Sequence, residues 1–192
     1  LDNTGSTPVH LAAYNGRTAA LEALVRLGAP LGERDADGST PAHWAALNGH
    51  AAALEALARG GAPLGERNAD GRTPADLAAL SGHAAALEML ARAGAPLADR
   101  DAAGRVPAHF AAMHGCAAAL EALARLGAPL SERDDAGWTP AHWAAFNGRA
   151  AALEALDAAG ADLSVPNSNG DTPADLAADE VLHPAALRAL WL

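Results

Sequence analysis

The stretch Gly38-Ser39-Thr40-Pro41-Ala42-His43-Trp44-Ala45-Ala46 decides the fold, because versions of it return at one fixed spacing along the 192 residues of the chain. Its proline recurs every 33 residues, at Pro8, Pro41, Pro74, Pro107, Pro140 and Pro173. A constant period of this length is typical of a solenoid, in which each unit packs only on its neighbours.

Each unit carries the same further signals. An Ala-Ala pair follows the proline, and in five units a second glycine and a pair of leucines come next. In the first unit, Thr7 is placed to cap a helix that begins at Pro8 and ends near Asn15. A second helix is predicted from Thr18 to about Leu27. The segment 29–38 has no helical period and contains Asp-Gly, which predicts an extended hairpin.

These residues resemble the ankyrin repeat. The pattern Asp-x-x-Gly-x-Thr-Pro-x-His-x-Ala-Ala is present at 35–46, and Gly49 and Gly61-Ala62 follow at the family's places. The match covers almost all of the chain in six copies in phase. The resemblance implies an all-α ankyrin-repeat solenoid of L-shaped helix pairs with projecting β-hairpin loops.

We expect one domain over residues 1–192, with repeats at about 2–34, 35–67, 68–100, 101–133, 134–166 and 167–192. The last repeat lacks the second glycine, carries Asp179-Glu180, and has Leu187 and Leu190 one place late. A polar, altered end repeat is predicted to act as a C-terminal cap. The first repeat shows no such change, so we expect something else to cover its N-terminal side.

The composition and charge of the chain limit the kinds of partner it is expected to bind and the compartment it is expected to occupy. A formal charge of −10 and a pI near 5.1 argue against nucleic acid or an acidic membrane surface as the partner. No apolar run approaches the roughly 20 residues of a membrane helix. Cys116 is the single cysteine, which favours a reducing compartment. We expect an intracellular protein, in the cytoplasm, with the nucleus or an organelle as alternatives if a targeting peptide was lost.

Histidine, cysteine and aspartate are the side chains of this sequence that are candidates for catalysis or metal binding. His10, His43, His109 and His142 share one repeat position, where the third and sixth repeats have Asp76 and Asp175. A catalytic residue is needed once, whereas a repeated position suits a repeated hydrogen bond. In ankyrin proteins this histidine ties neighbouring loops together, and the resemblance implies that role here.

His50, His83 and Cys116 also share a position, but stacked helices are ~8–10 Å apart and zinc ligands lie ~2.0–2.3 Å from one ion. No base accompanies Cys116, and no lysine is present for a phosphate loop. We therefore expect no catalytic residue, no metal, no cofactor and no small-molecule substrate.

The candidate binding residues occupy two repeat positions. We call the first the helix-end row: Tyr14, Leu47, Leu80, Met113 and Phe146. In ankyrin domains this position faces the concave groove, so the resemblance implies contact with a partner, although packing along the stack is the alternative. We call the second the tip position, which precedes each Thr or Val of the repeat; its candidates are Arg72, Arg105 and Trp138.

Other side chains were assigned structural roles. Trp44, Phe110 and Trp143 are predicted to lie in the core. Val106 replaces the usual threonine and removes a capping hydroxyl, at a cost of about 1 kcal/mol. Glu and Arg four residues apart on the second helices are predicted to pair with each other. The arginines that close each repeat are expected to pair with the acidic residue beside them.

The sequence thus predicts a non-catalytic module that binds a partner protein through a concave helix face and the hairpin tips. A structural subunit held permanently in a larger assembly is the alternative, and a targeting domain of a longer enzyme is a third hypothesis. The identity of the partner is not encoded in any motif.

Overall fold

The computed structural model describes residues 5–177, and these contain eleven helices and no β-strand. A short first helix opens each repeat: α1 (Pro8–Tyr14), α3 (Pro41–Leu47), α5 (Pro74–Leu80), α7 (Pro107–His114), α9 (Pro140–Phe146) and α11 (Pro173–Ala177). A longer second helix follows in five of them: α2 (Thr18–Arg26), α4 (Ala51–Arg59), α6 (Ala84–Arg92), α8 (Ala117–Arg125) and α10 (Ala150–Ala158). The predicted all-helical repeat is confirmed.

The first helices begin and end at the residues that the sequence indicates. Thr40 is extended (φ −91°, ψ 167°) and Pro41 takes the first helical position, where a missing N–H costs no hydrogen bond. Helix α7 ends at His114, and the next residue, Gly115, has a φ of 75°, a left-handed conformation that glycine adopts without steric cost. The second glycine of the repeat therefore turns the chain from the first helix into the second.

The loops between repeats are turns rather than β-ladders. In the second repeat the N–H of Asp35 donates to Ser39 O (3.0 Å), and that of Gly38 donates to Asp35 O (3.0 Å). Neighbouring loops are also joined, because Ala69 N–H donates to Asp37 O at 2.9 Å. The predicted hairpin shape is present, but its arms exchange too few backbone hydrogen bonds to form strands.

The chain divides into two compact units. The first consists of Leu1–Ala78 with Ala85–Pro96, and the second of Ala79–Ala84 with Leu97–Leu192. In the first unit α1 packs on α3 and α2 on α4; in the second, α7 and α11 pack on α9, and α8 packs on α10. Whether all six repeats form one domain stays a prediction.

The core of each unit consists of leucine and alanine. The paired leucines of the second helices are fully buried, and so are the Ala-Ala pairs of the first helices: Leu54, Leu57, Leu87, Leu90, Leu120, Leu123, Leu153 and Leu156, with Ala45, Ala46, Ala111, Ala112, Ala144 and Ala145. Small side chains let helices approach closely and still fill space at the density of a protein interior.

Several charged pairs join neighbouring repeats. Arg59 binds Glu22 of the preceding repeat (3.0 Å) instead of Glu55 on its own helix. Arg34 binds Glu66 of the following repeat, not the adjacent Glu33. The expected local pairing was wrong for these two arginines, because the stacking of the repeats places a carboxylate of a neighbouring repeat within reach.

The predicted C-terminal cap lies mostly outside the described residues. The sixth repeat is described only as far as the end of α11 at Ala177. Asp179-Glu180 and the two displaced leucines belong to the part of the chain that is not described, so the cap stays a prediction.

Candidate functional site

The helix-end row lies at the C-terminal end of the first helices, and no member is fully buried. Tyr14 is 48% exposed and Phe146 is 40% exposed. Leu47, Leu80 and Met113 are half-buried. Within each unit, these side chains therefore sit at the surface next to the loops, and they differ from the leucine pairs of α4, α6, α8 and α10, which have no exposed surface.

Histidines of the first helices form hydrogen bonds to the loop of the next repeat. In the second repeat His43 Nδ1 accepts the N–H of Thr40 (3.1 Å), so the proton is on Nε2, which donates to the carbonyl oxygen of Arg72 (3.0 Å). The same bridge to the next repeat occurs from His10 to Ser39 O, from His109 to Trp138 O and from His142 to Asp171 O, at 3.0–3.1 Å. The hydrogen-bonding role implied by the resemblance is confirmed at all four histidines.

Burial favours the neutral form of three of these imidazoles. Loss of hydration on burial lowers the pKa of His43, His109 and His142 below the ordinary histidine value, against the smaller opposing effect of the carbonyl acceptor. A second proton on Nδ1 would also face the backbone N–H that Nδ1 now accepts. The rings of His43, His109 and His142 are therefore suited to a constant donor role toward the next repeat.

The tips are shaped by a carboxylate or amide at the start of each repeat. Asp35 Oδ1 accepts the N–H of Asp37 (3.0 Å) and of Ser39 (2.9 Å), which closes the turn. The same two bonds form at Asn68, Asp101, Asp134 and Asn167, between 2.8 and 3.1 Å. The backbone at these five tips is thus held by one side-chain oxygen each.

The second carboxylate oxygen, Oδ2, of these aspartates accepts a hydrogen bond from an indole N–H or a guanidinium. This role was not predicted from the sequence. Trp44 Nε1 donates to Asp35 Oδ2 (2.7 Å), and Trp143 Nε1 donates to Asp134 Oδ2 (2.9 Å). Trp44 and Trp143 are consequently half-buried with their indole N–H groups anchored at the tip. They are not plain core residues as predicted, whereas Phe110, at 1% exposure, is.

A signal for this arrangement was present in the sequence. The aspartates that begin described repeats two, four and five each have a donor within the repeat: Trp44, Arg105 and Trp143. Repeats three and six begin with Asn68 and Asn167 and have leucine, not tryptophan, nine positions later. Aspartate therefore occurs in the repeats that supply a donor for its second carboxylate oxygen. Asparagine occurs in the two repeats that have leucine nine positions later.

Trp138 lies in an aromatic cluster of the second unit. Its ring centroid is 4.8 Å from that of Trp143 and 5.4 Å from that of Phe146, the latter pair edge to face. The His142 ring is 6.0 Å away. Trp138 is half-buried, so this binding candidate packs against neighbouring rings and keeps part of its surface exposed.

The two tip arginines are half-buried. Arg105 binds Asp101 Oδ2 through Nη2 (2.7 Å) and Nε (2.9 Å), and its guanidinium lies 5.0 Å from the centroid of Phe110. Its charge is therefore satisfied within its own repeat. Arg72 lends its carbonyl oxygen to His43.

Cys116 does not have the environment of a nucleophile. Its thiol lies 3.4 Å from Leu80 O, and burial raises its pKa despite the nearby charge of Arg149. His50 uses Nε2 on the carbonyl oxygen of Tyr14 (3.0 Å). Across residues 5–177, no three histidine, cysteine or acidic side chains converge closely enough to hold a metal ion.

A helix that spans a bilayer needs roughly 20 apolar residues. None within residues 5–177 is both long enough and apolar enough to cross a membrane.

Comparison with known families accounts for the repeat. A family model described as "Ankyrin repeats (3 copies)" matches residues 9–101, and one described as "Ankyrin repeats (many copies)" matches residues 108–157. Together they span most of the chain, which belongs to the ankyrin-repeat family. Ankyrin repeats generally serve protein–protein interaction and are typically non-catalytic. A search of curated proteins gave no match.

Proposed function

We propose that this protein binds a partner protein through the helix-end row and the adjoining loop tips. One observation carries the proposal. Four large apolar side chains of residues 5–177 are strongly exposed, and two of them, Tyr14 and Phe146, occupy the same repeat position in different units. Exposed apolar surface beside polar loops is typical of a recognition surface.

Hydrogen bonds that hold the backbone of the loop tips also support this proposed binding surface. His43 and His109 bind the carbonyl oxygens of the tip residues Arg72 and Trp138, and Asp35 and Asp134 close the tips of the second and fifth repeats. Side chains on such a fixed backbone lose little conformational freedom when a partner binds, so more of the contact energy appears as affinity. The tip candidates Arg72, Arg105 and Trp138 extend this surface in their respective units.

Quantitative affinity capture tests the proposal, with wild type compared against Tyr14→Glu and Phe146→Glu. Leu27→Glu is the matched control, because Leu27 is 81% exposed, lies at the end of α2 and receives the same charge. Circular dichroism must show the wild-type helix signal in all variants. Loss of one captured protein from the row variants, with retention by Leu27→Glu, supports the proposal. Equal recovery by all four forms refutes it.

The second candidate function is that of a subunit buried in a larger assembly. A separate observation favours it. Leu11 is 50% exposed and Leu27 is 81% exposed, whereas Leu77, which occupies the position of Leu11, is 6% exposed. Apolar side chains of the first repeat are thus left uncovered away from the helix-end row. Sedimentation velocity decides: a stable monomer at high micromolar concentration argues against this role, and self-association that Leu27→Glu abolishes supports it.

A further inference from the structure

One side of the first repeat lacks contacts that the same side of later repeats makes. Leu11 is 50% exposed, Ala20 is exposed and Leu24 is half-buried. The counterparts of Ala20 and Leu24 in the next four repeats have no exposed surface: Ala53, Ala86, Ala119 and Ala152, with Leu57, Leu90, Leu123 and Leu156. A preceding second helix packs on this side of a repeat, as α2 does on α4 and α8 on α10. Within residues 5–177 no earlier repeat covers α2 in this way.

Two arginines of the first repeat lack the acceptors that their counterparts bind. Arg17 and Arg26 are exposed, and within the described residues neither side chain forms a hydrogen bond or an ion pair. Arg149, which occupies the position of Arg17 in the fifth repeat, donates to a carbonyl oxygen near the end of α7 (3.3 Å). Arg59, which occupies the position of Arg26, binds a glutamate of the preceding repeat (3.0 Å). Both positions therefore face the preceding repeat and bind an acceptor there.

Glu33 is an acidic residue in the same situation. It is exposed and forms no ion pair among residues 5–177. Its counterparts Glu66 and Glu132 each bind an arginine of the preceding repeat, Arg34 and Arg100 respectively. The first repeat thus presents, without its complement, the set of groups that joins one repeat to the repeat before it. This set consists of apolar side chains, two donors and one carboxylate.

We propose that this leading face, defined by Leu11, Arg17, Ala20, Leu24, Arg26 and Glu33, binds the end of a helical repeat stack in a different protein. The complementary surface carries a helix-end carbonyl oxygen for Arg17, a carboxylate for Arg26 and an arginine for Glu33. The small side chain of Ala20 lets a helix of the partner approach closely, as at the junctions within this chain. The leading face lies outside the helix-end row, so this inference goes beyond the proposed function and does not depend on it.

The charges of the leading face disfavour a second copy of this chain as the occupant. Two leading faces packed on each other would bring four arginines against two glutamates. The other end of a second copy is also unsuited, because in the sixth repeat Arg188 follows Leu187, where in the first repeat Glu22 follows Leu21. The sequence of the sixth repeat thus has an arginine where Arg26 needs a carboxylate. Like charges brought together at an interface disfavour a wrong partner.

Site-specific photo-cross-linking of the full chain identifies what covers this face. p-Benzoylphenylalanine replaces Ala19, the exposed neighbour of Ala20 on α2. In a matched control it replaces Ala151, the exposed counterpart of Ala19 on α10. In a lysate of the source organism, residue 19 is expected to cross-link to another protein, at a peptide with an arginine and an acidic residue at the end of a helical repeat. Residue 151 is expected not to give this product.

Binding measurements on the purified pair then test the charges. Glu33→Arg should weaken binding about three- to tenfold, and the loss should shrink as salt is raised. Changing the arginine of the cross-linked peptide to glutamate should restore the affinity for Glu33→Arg, because the ion pair is then formed with its charges exchanged. Glu154→Arg makes the same charge reversal at an exposed site on α10 and should leave affinity unchanged.

Four results would each overturn the inference. These are no product specific to residue 19, a product that joins two copies of this chain, unchanged affinity of a Glu33→Arg variant with wild-type circular dichroism, and a loss that the partner's charge reversal does not restore. A product that joins two copies would instead support self-assembly. None of these results bears on the helix-end row, which Tyr14→Glu and Phe146→Glu test separately.

Discussion

The hydrogen bond between Trp143 and Asp134 should make the effect of an Asp134→Asn substitution depend on residue 143. Asp134 is 7% exposed; its Oδ1 accepts two backbone N–H groups and its Oδ2 accepts the indole N–H at 2.9 Å. The amide keeps the first two bonds but turns an N–H₂ group toward the indole N–H. The free energy of unfolding should fall by about 1–3 kcal/mol, the cost of an unmade buried bond to a charged group.

In a Trp143→Leu background the sign should change. Asp134 Oδ2 then has no indole donor, so the amide removes an uncompensated charge and recreates the Asn–Leu combination of Asn167 and Leu176. Asp134→Asn should then be neutral or stabilising, which gives a coupling energy of about 1.5–3 kcal/mol for the two sites.

Urea denaturation followed by circular dichroism measures the four proteins of this cycle: wild type, each single variant and the double variant. For a chain of this size, a change of 1 kcal/mol corresponds to about 2–4 °C in Tm, so heat denaturation provides an independent check. A coupling energy below about 0.5 kcal/mol would mean that the Asp–Trp bond does not stabilise the loop.

Three further predictions concern the repeat itself. Because burial lowers the pKa of His43, His109 and His142, the folded state binds fewer protons than the unfolded state, so stability should fall as pH drops through 6.5; a urea midpoint equal at pH 7.5 and 5.5 would contradict this. Val106→Thr should raise the free energy of unfolding by about 0.5–1 kcal/mol by restoring the capping hydroxyl, and a lower urea midpoint would show that its buried site rejects the oxygen. Cys116 should react with a disulfide reagent more slowly than a free cysteine at pH 8, since burial raises its pKa; equal rates would contradict that environment.

The fold was predictable from sequence because the same local signals return in five or six of the repeats. The Thr-Pro start of α3, the glycine end of α7 and the buried leucine pairs lie where the sequence places them. Such features depend on short-range backbone chemistry, and repetition removes the ambiguity of any single copy. The histidine bridges were likewise inferred correctly, through the resemblance to the ankyrin family.

Contacts that depend on stacking distances were less predictable. A sequence shows Arg59 four residues after Glu55, but only the structure shows that Glu22 of the preceding repeat is the carboxylate it binds. Trp44 was assigned to the core from its apolar ring, while its indole N–H decides its place beside Asp35. The exposure of Tyr14 and Phe146 agrees with the predicted binding position, and their contact with a partner stays a prediction.

Hydrogen exchange of the full chain, with and without the captured partner, tests the central claim most directly. If the helix-end row binds that protein, backbone amides around Tyr14, Phe146 and the tip at Trp138 should exchange more slowly in the complex. Amides at the exposed end of α2, near Leu27, should not change. Protection confined to the second helices, with none at the row or tips, would contradict the proposed binding surface.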